Sequence, residues 1–309
     1  MYQNSPFVSV IIAHLNQPDH LRRCLRSLAG QDYPRDRYEV IVVDNGSAIP
    51  PRTVVEQFRN TRLDFEMTPG PGPARNKGTQ LARGEVFAFI DADEFAERSW
   101  LRSIGLRFGA TTDNIVLGGD VRIACRNPDR PTLLEAYESV FAYRQKEYIE
   151  KQGFSGTGNL AVRRDDFFKI GPFGGINVSE DRAWGRDARS HGYRILYVPE
   201  MVVFTPARKS LTELQAKWDR HILHDYEDWR LEGKGRSAWY LRAAAVMLSS
   251  LLDLRRIFAS SRISGLGARI KAMRVLARIR VYRAITMVRV ATRTSLPPDA
   301  HFWNRQPQP

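Results

Sequence analysis

The 309-residue sequence predicts an α/β domain built on a doubly wound, mainly parallel sheet, followed by a helical C-terminal region. Three observations predict it. β-branched runs alternate with helical periodicity in the first half, acids stand at the ends of two of those runs, and nothing strand-like with turn signals follows Leu211.

The elements follow in order. Phe7 to Ala13 and Tyr38 to Val43 read as strands, and Leu21, Cys24, Leu25 and Leu28 recur at helical spacing between them, which makes a βαβ unit. Leu63 to Met67 and Val86 to Ile90 are two further strands, separated by the turn cluster TPGPGP and a short helix starting near Ala74. Trp100 to Phe108 reads as a helix, Ile115 to Gly118 and Val121 to Ala124 as short strands, and Thr132 to Ile149 as one helix. Asn159 to Val162 and Arg194 to Val198 are later strands around a helix from Glu180 to His191. Helix then dominates from Leu211 to about Arg293, interrupted at 232–235 and 260–267, before a loose tail, SLPPDAHFWNRQPQP. There is no internal repeat.

With 43% hydrophobic and 26% charged residues, the chain has the material for a large core, which excludes wholesale disorder. Cys24 and Cys125 cannot build a disulfide framework and lack metal-ligand spacing, so a reducing, cytoplasmic setting is the expectation. The apolar window Ala243 to Leu252 is well short of the roughly 20 residues of a spanning helix, and the first residues lack the marks of a leader. The net charge of +13 is unevenly placed. Residues 234–293 hold 14 basic side chains and one acid, Asp253, while the other 249 residues balance. The excess therefore belongs to the C-terminal helices, and a reading of the whole protein as a nucleic-acid binder is not supported.

The acids fall where an open α/β sheet places its ligands, outside the carboxyl ends of its strands. Asp44 ends the second strand in VVDNGS, and Asp91 and Asp93 end VFAFIDAD. Two carboxylates one residue apart just past a strand can face a hard divalent ion such as Mg²⁺, which is commonly held by one or two carboxylates plus substrate phosphates.

VSVIIAHLNQ, EVIVVDNGS, GPGPARNKGTQLARGEVFAFIDADEF, GTGNLAVRR and SEDRAWGRDARSHGYRILYVPE, in this order, resemble the inverting family 2 glycosyltransferases of the GT-A fold, a Rossmann-like doubly wound mixed sheet. The match spans about residues 7 to 208. It implies a catalytic domain over 1–208, with a nucleotide-sugar half to about 95 and an acceptor half from 96, and a basic helical region over 209–309. It also implies a nucleotide-sugar donor, of the UDP type, and a Mn or Mg cofactor. Ala13, His14, Leu15 and Asn16 stand where the family has Pro-Thr-Tyr-Asn in the nucleotide loop. By the resemblance, Asp44 matches the acid that binds the nucleobase. Arg75 lies in the block lining the nucleotide site, where Gly70 and Gly72 permit close backbone approach. Asp91, Ala92 and Asp93 match the DXD motif, with Asp93 on the metal and Asp91 on the ribose or the metal through water. Asp181 matches the acid of the ED motif, the general base, and Glu180 beside it is the second candidate. Gly158 and Asn159 fall where donor sugar or acceptor is positioned.

Two departures from the family shape the expectation. Thr205 occupies the place where many relatives carry a metal-binding His, and the Q-x-x-R-W block of processive synthases is absent. Together with the lack of membrane spans, this points to transfer of one sugar to a glycan or lipid-linked acceptor in polysaccharide or envelope-glycan synthesis. In the basic region, Ile270, Met273, Leu276, Ala277, Val281, Ala284, Met287, Val288 and Ala291 share one side of a helical wheel. That pattern suits an anionic membrane surface at the cytoplasmic face of the inner membrane, or a helix packed on the catalytic domain with a solvated basic face. The alternative function is a non-catalytic nucleotide-sugar or membrane-surface binding protein that keeps the fold.

Overall fold

The computed structural model describes residues 5–175 and 179–292. The expected C-terminal tail lies outside the described residues. Eight strands form one mixed sheet: β1 (Val8–His14), β2 (Tyr38–Asp44), β3 (Thr61–Phe65), β4 (Val86–Ile90), β5 (Phe95–Ala96), β6 (Ile115–Ile123), β7 (Asn159–Arg163) and β8 (Arg194–Thr205), in the order β3-β2-β1-β4-β7-β6-β8-β5. The pairs β3-β2, β2-β1 and β1-β4 are parallel, whereas β4-β7, β7-β6 and β8-β5 are antiparallel. The strand order reverses at β1, so the carboxyl ends of β1, β2 and β4 open on one crevice.

Helices of the same half are α1 (Pro18–Ala29), α2 (Arg52–Val55), α3 (Pro71–Leu81) and α4 (Trp100–Gly109), followed after α5 (Leu133–Phe141) by α6 (Gln145–Glu147), α7 (Arg164–Ile170) and α8 (Glu180–Ser190). Helix α1 buries Leu21, Cys24, Leu25 and Leu28, the spacing read from the sequence. Core residues Ile11, Ile41, Val43, Phe87, Phe89, Val162, Phe167, Phe173 and Trp184 cluster on one side of the sheet. Trp184 and Ala188 anchor α8 in that cluster, and the Trp184 indole N–H donates to the Gly171 carbonyl at 2.9 Å. This fixes the start of α8, where Glu180 and Asp181 sit.

Several elements differ from the sequence reading. The two short strands read as Ile115 to Gly118 and Val121 to Ala124 are one, since β6 runs unbroken through Gly118 and Gly119; Asn159 and the Met201 carbonyl fill the space a Gly119 side chain would need. Strand β8 continues past Pro199, which is exposed and so gives up no buried donor. The expected helix over 132–149 breaks at Tyr143 and Arg144, leaving α5 (Leu133–Phe141), α6 and a π-turn at Tyr148–Gln152. Helix α5 starts with a capping box between Thr132 and Glu135.

The chain divides into two compact units, one of residues 5–122 and 144–205, the other of residues 123–143 and 206–292. In the second unit α5 packs with α9 (Leu211–Leu231), α10 (Arg236–Ala259) and α11 (Gly265–Thr292). Leu134, Ala136 and Tyr137 of α5 join Leu214, Ile257, Ala272, Val275, Leu276 and Ile279 in one cluster, and Tyr226, Trp239, Met287 and Val290 form a second. On the apolar side read for α11, Leu276, Ala284, Met287 and Ala291 are buried, whereas Ile270, Val281 and Val288 are exposed. Among the described residues, no helix is long and apolar enough to cross a membrane.

Asn159 ties the antiparallel half together. Its side chain donates to the Asp120 carbonyl at 2.9 Å and the Met201 carbonyl at 2.8 Å, and accepts from the Trp100 indole at 2.9 Å, with no exposure to solvent. Replacing it leaves three buried partners unmatched, at about 1–3 kcal/mol for each such group. Asn159→Ala is expected to lose about 3 kcal/mol or more of unfolding free energy in urea titration.

Candidate functional site

At the carboxyl ends of β1 and β2, His14 and Asp44 face each other. His14 Nδ1 lies 2.8 Å from Asp44 Oδ1, and His14 Nε2 accepts the Gln17 N–H at 3.2 Å, which puts the proton of the neutral ring on Nδ1. Ser47 donates to Asp44 twice, Oγ to Oδ1 at 2.6 Å and N–H to Oδ2 at 3.0 Å. Burial pushes the Asp44 carboxyl up, but the hydrogen bonds from His14 and Ser47 outweigh it and hold the group below the usual carboxylate range. Both residues are buried, as is Ala92, while Ala13 is half-buried and pairs with Val43. Asn16 adopts φ 53°, a left-handed conformation that Asn tolerates, and its Oδ1 accepts the Ala48 N–H. The loops after β1 and β2 are thus clamped to each other.

Asn45 fixes the next loop by donating to the Glu66 and Thr68 carbonyls, both at 2.8 Å, and accepting the Gly70 N–H at 2.7 Å. Gly70 takes φ 124°, the conformation from which α3 begins. Gly72 does permit a close backbone approach, but to the chain itself: a side chain there would collide with the Gly174 carbonyl.

Arg75, one turn into α3, is buried and reaches two acids. One terminal nitrogen lies 2.6 Å from Asp91 Oδ1, the other 2.6 Å from Glu180 Oε1. Burial disfavours the guanidinium charge, yet the two carboxylates more than compensate and raise its pKa. Arg75 therefore joins the loop after β4 to the start of α8. Burial pushes Glu180 above the ordinary range, against the pull of Arg75. Burial also pushes Asp181 up, opposed by the Arg182 N–H, which donates to Asp181 Oδ1 at 2.7 Å.

Glu94 is a site residue that the sequence reading passed over. It is buried beside Asp91, whose backbone N–H points to it at 3.4 Å. Burial, then the charges of Asp91 and Asp93, push its carboxyl well above the ordinary range. Gly158 borders the same group, since a side chain there would come within 2.7 Å of Asp91 Oδ2 and 2.8 Å of Glu94 Oε2. The signal in the sequence was the third acid of DADE, masked by the fit of its first two to a known motif.

The loop offers hard oxygen donors with more negative charge than Arg75 alone offsets. Among the described residues no three His, Cys, Asp or Glu side chains converge as a closed metal cage, and Thr205 is buried at the end of β8. The donor set fits a divalent cation held by one or two carboxylates, with its other positions left to phosphates and water.

Fold and crevice together define an α/β transferase of the GT-A type. The chain belongs to glycosyl transferase family 2: residues 9–171 match the model of that family. It is 33% identical to "Glycosyltransferase AglE" of Haloferax volcanii, over 84% of this chain and 80% of that one. It is 34% identical to "Putative glycosyltransferase EpsH" of Bacillus subtilis, over 36% of this chain and 33% of that one. Among solved structures, the mannosyltransferase PcManGT from Pyrobaculum calidifontis, in complex with GDP-Man and Mn²⁺, superposes with a TM-score of 0.59 at 19% identity, over 94% of this chain and 88% of that one. S. aureus TarS 1-349, in complex with UDP-GlcNAc, gives 0.52 at 17%, over 89% of this chain and 90% of that one. These two likenesses show the fold.

The Asp44 cluster has a consequence for stability against pH. A carboxyl held low in the folded state stabilises it above its unfolded value of about 3.9, and the contribution is lost as pH falls through the folded value. Asp44→Asn is therefore expected to be less stable than the parent at neutral pH and to lose less stability on acidification. Urea unfolding between about pH 2 and 6 measures the difference in slope.

Proposed function

We propose that the protein is a metal-dependent, inverting glycosyltransferase that moves one sugar from a nucleotide-sugar donor, of the UDP type, to a glycan or lipid-linked acceptor. The observation that carries this reading is the Arg75 bridge, which holds the acid pair after β4 and the acids at the start of α8 in one crevice. A transfer with inversion needs charge compensation for the leaving diphosphate on one side of the sugar and a proton acceptor on the other.

Asp181 is the proton acceptor. As the acceptor hydroxyl oxygen forms its bond to the anomeric carbon, its proton passes to the Asp181 carboxylate. The bond from that carbon to the diphosphate oxygen breaks, and its electron pair leaves with the diphosphate. The raised carboxyl of Asp181 supports this role, because a stronger base transfers the proton more readily near neutral pH. Glu180 is committed to Arg75 and so acts in positioning. Asp93 and Asp91 would hold Mn²⁺ or Mg²⁺, which when bound supplies Lewis-acid stabilisation of the departing diphosphate. Asp44 and His14, with Ala13, shape the floor on which the nucleobase rests, and Arg75 and Gly72 fix the start of α3 beside it.

General-base catalysis typically contributes about 10² to 10⁴-fold. Asp181→Asn is expected to lose transfer by that order while donor affinity changes little. Asp93→Ala is expected to weaken Mn²⁺-dependent donor binding. Product formation and thermal stabilisation by UDP- and GDP-sugars, with and without Mn²⁺, check both, and full transfer by Asp181→Asn removes that residue from the base role.

The second unit supports a place for the enzyme at an anionic membrane surface, on the cytoplasmic side. The outward side of α10 carries Leu241, Leu248, Leu251 and Leu252 at 72%, 62%, 68% and 81% exposure, spaced as one helical stripe. The same unit exposes Arg255, Arg262, Arg274, Arg278 and Arg289. Apolar insertion combined with about 1 kcal/mol for each basic side chain near an anionic surface matches that composition. Leu248→Asp with Leu252→Asp is expected to abolish sedimentation with phosphatidylglycerol vesicles, and salt is expected to weaken the parent's binding. Equal sedimentation of the parent with phosphatidylcholine vesicles would contradict the electrostatic part.

A further inference from the structure

The second unit contains half-buried positive charge that forms no ion pair with its own acids among the described residues. Glu138 is buried and takes both the Arg208 guanidinium and the Arg208 backbone N–H. Asp253 pairs with Arg280 at 2.5 Å, Asp225 pairs with Arg242 at 3.0 Å, and both oxygens of Asp219 lie 2.9 Å from the Tyr282 hydroxyl. Lys217 and Arg283 have no carboxylate partner among the described residues.

These two cations flank one aromatic ring. Arg283 Cζ stacks 3.6 Å from the centre of Trp218, while Lys217 Nζ lies 6.0 Å from the same ring and 5.9 Å from that of Tyr143. Stacking on an aromatic face satisfies part of a guanidinium's charge but none of its in-plane donors. Arg283 Nε and Trp218 Nε1 are both buried without a hydrogen-bond partner. Buried donors of this kind are rare in folded proteins and call for a ligand or a water. Burial, then repulsion from Arg208, Arg220 and Arg283, lowers the Lys217 ammonium to about 8, with Glu138 the opposing charge. Burial and Arg280 lower Arg283 to about 10.

We propose that Lys217, Arg220 and Arg283, with the Trp218 indole N–H, form a binding site for a phosphate or diphosphate group, carried on a lipid or free in solution. Lys217 and Arg220 stand at i and i+3 on α9 and share a side of that helix, and Arg283 meets them from α11. A polyanion offers acceptor oxygens to the ammonium, the guanidinium edge and the indole together, and charge-assisted bonds to phosphate are the strong kind. The crevice of the transferase reading uses none of these side chains. The proposed site would hold the phosphate of a lipid-linked acceptor, or a soluble diphosphate.

Calorimetric titration of the full-length protein with inorganic pyrophosphate in EDTA, which silences cation-dependent binding in the crevice, tests the site. The parent and Asp93→Ala are expected to bind alike, and Lys217→Gln about tenfold or more weakly. Lysine side-chain NMR of the parent gives a second readout that needs no variant: the depressed ammonium titration is expected to move upward when pyrophosphate is added. Vesicles of phosphatidylcholine carrying phosphatidic acid or phosphatidylglycerol at equal charge separate the sources. A Lys217-dependent preference for phosphatidic acid assigns a lipid-borne phosphate monoester, and pyrophosphate binding without that preference assigns a soluble ligand. Pyrophosphate affinity unchanged in Lys217→Gln, or a Lys217 titration indifferent to both probes, overturns the proposal while leaving the Asp181 reading untouched.

Discussion

One buried guanidinium organises the crevice. Arg75 reaches Asp91, 16 residues along the chain, and Glu180, 105 residues along, so two distant parts of the sequence share one cation. Burial pushes the Glu180 carboxyl up, and the same guanidinium pulls against that shift. Breaking such a pair by removing one partner typically costs about 3–5 kcal/mol, because it leaves an unmatched buried charge. The position of α8, and with it Asp181, depends on this contact from the polar side and on Trp184 from the apolar side.

The rest of the site repeats the same logic with weaker bonds. The loops after β1, β2 and β3 carry no regular structure of their own, yet each is tied to the next by a short polar side chain: Asn16 to Ala48, Ser47 to Asp44, Asn45 to Gly70. Such side chains replace the backbone ladder that a loop lacks. A rigid floor under the crevice results, next to an acid loop whose charge Arg75 offsets only in part.

Much of the architecture was legible in the sequence because it rests on local signals. The apolar spacing of α1, the β-branched runs of β1 and β2, and the Gly-bearing breaks between α9, α10 and α11 all fall where the pattern puts them. What was not legible depends on partners far away in sequence. Residues 115–124 read as two short strands until Asn159 and Met201 are seen to occupy the space beside Gly119 in one continuous β6. The pattern of α11 suits a membrane surface or a packed helix alike; in the structure Leu276, Ala284, Met287 and Ala291 are buried while Ile270, Val281 and Val288 stay exposed, and a further exposed stripe falls on α10. At the candidate site, strand ends and the family resemblance point to Asp44, Asp91, Asp93, Glu180 and Asp181, but no spacing rule shows that Arg75 bridges two of them or that Asn159 is a structural knot. Both facts are long-range hydrogen bonding.

The second unit is assembled from two stretches of chain, 123–143 and 206–292. Helix α5 leaves the sheet-bearing half, finds its apolar neighbours in helices synthesised long after it, and the chain then returns to complete β7, α8 and β8. No single cut separates the two units. A protein shortened at residue 205 would keep α5 and strip Leu134, Ala136 and Tyr137 of the cluster that buries them, so the sticky face would travel with the sheet-bearing half. Excising the second unit therefore means replacing 123–143 with a short polar loop as well. During synthesis, the same face must wait for α9 to α11 to emerge, which makes the C-terminal helices an internal chaperone for a segment made before them.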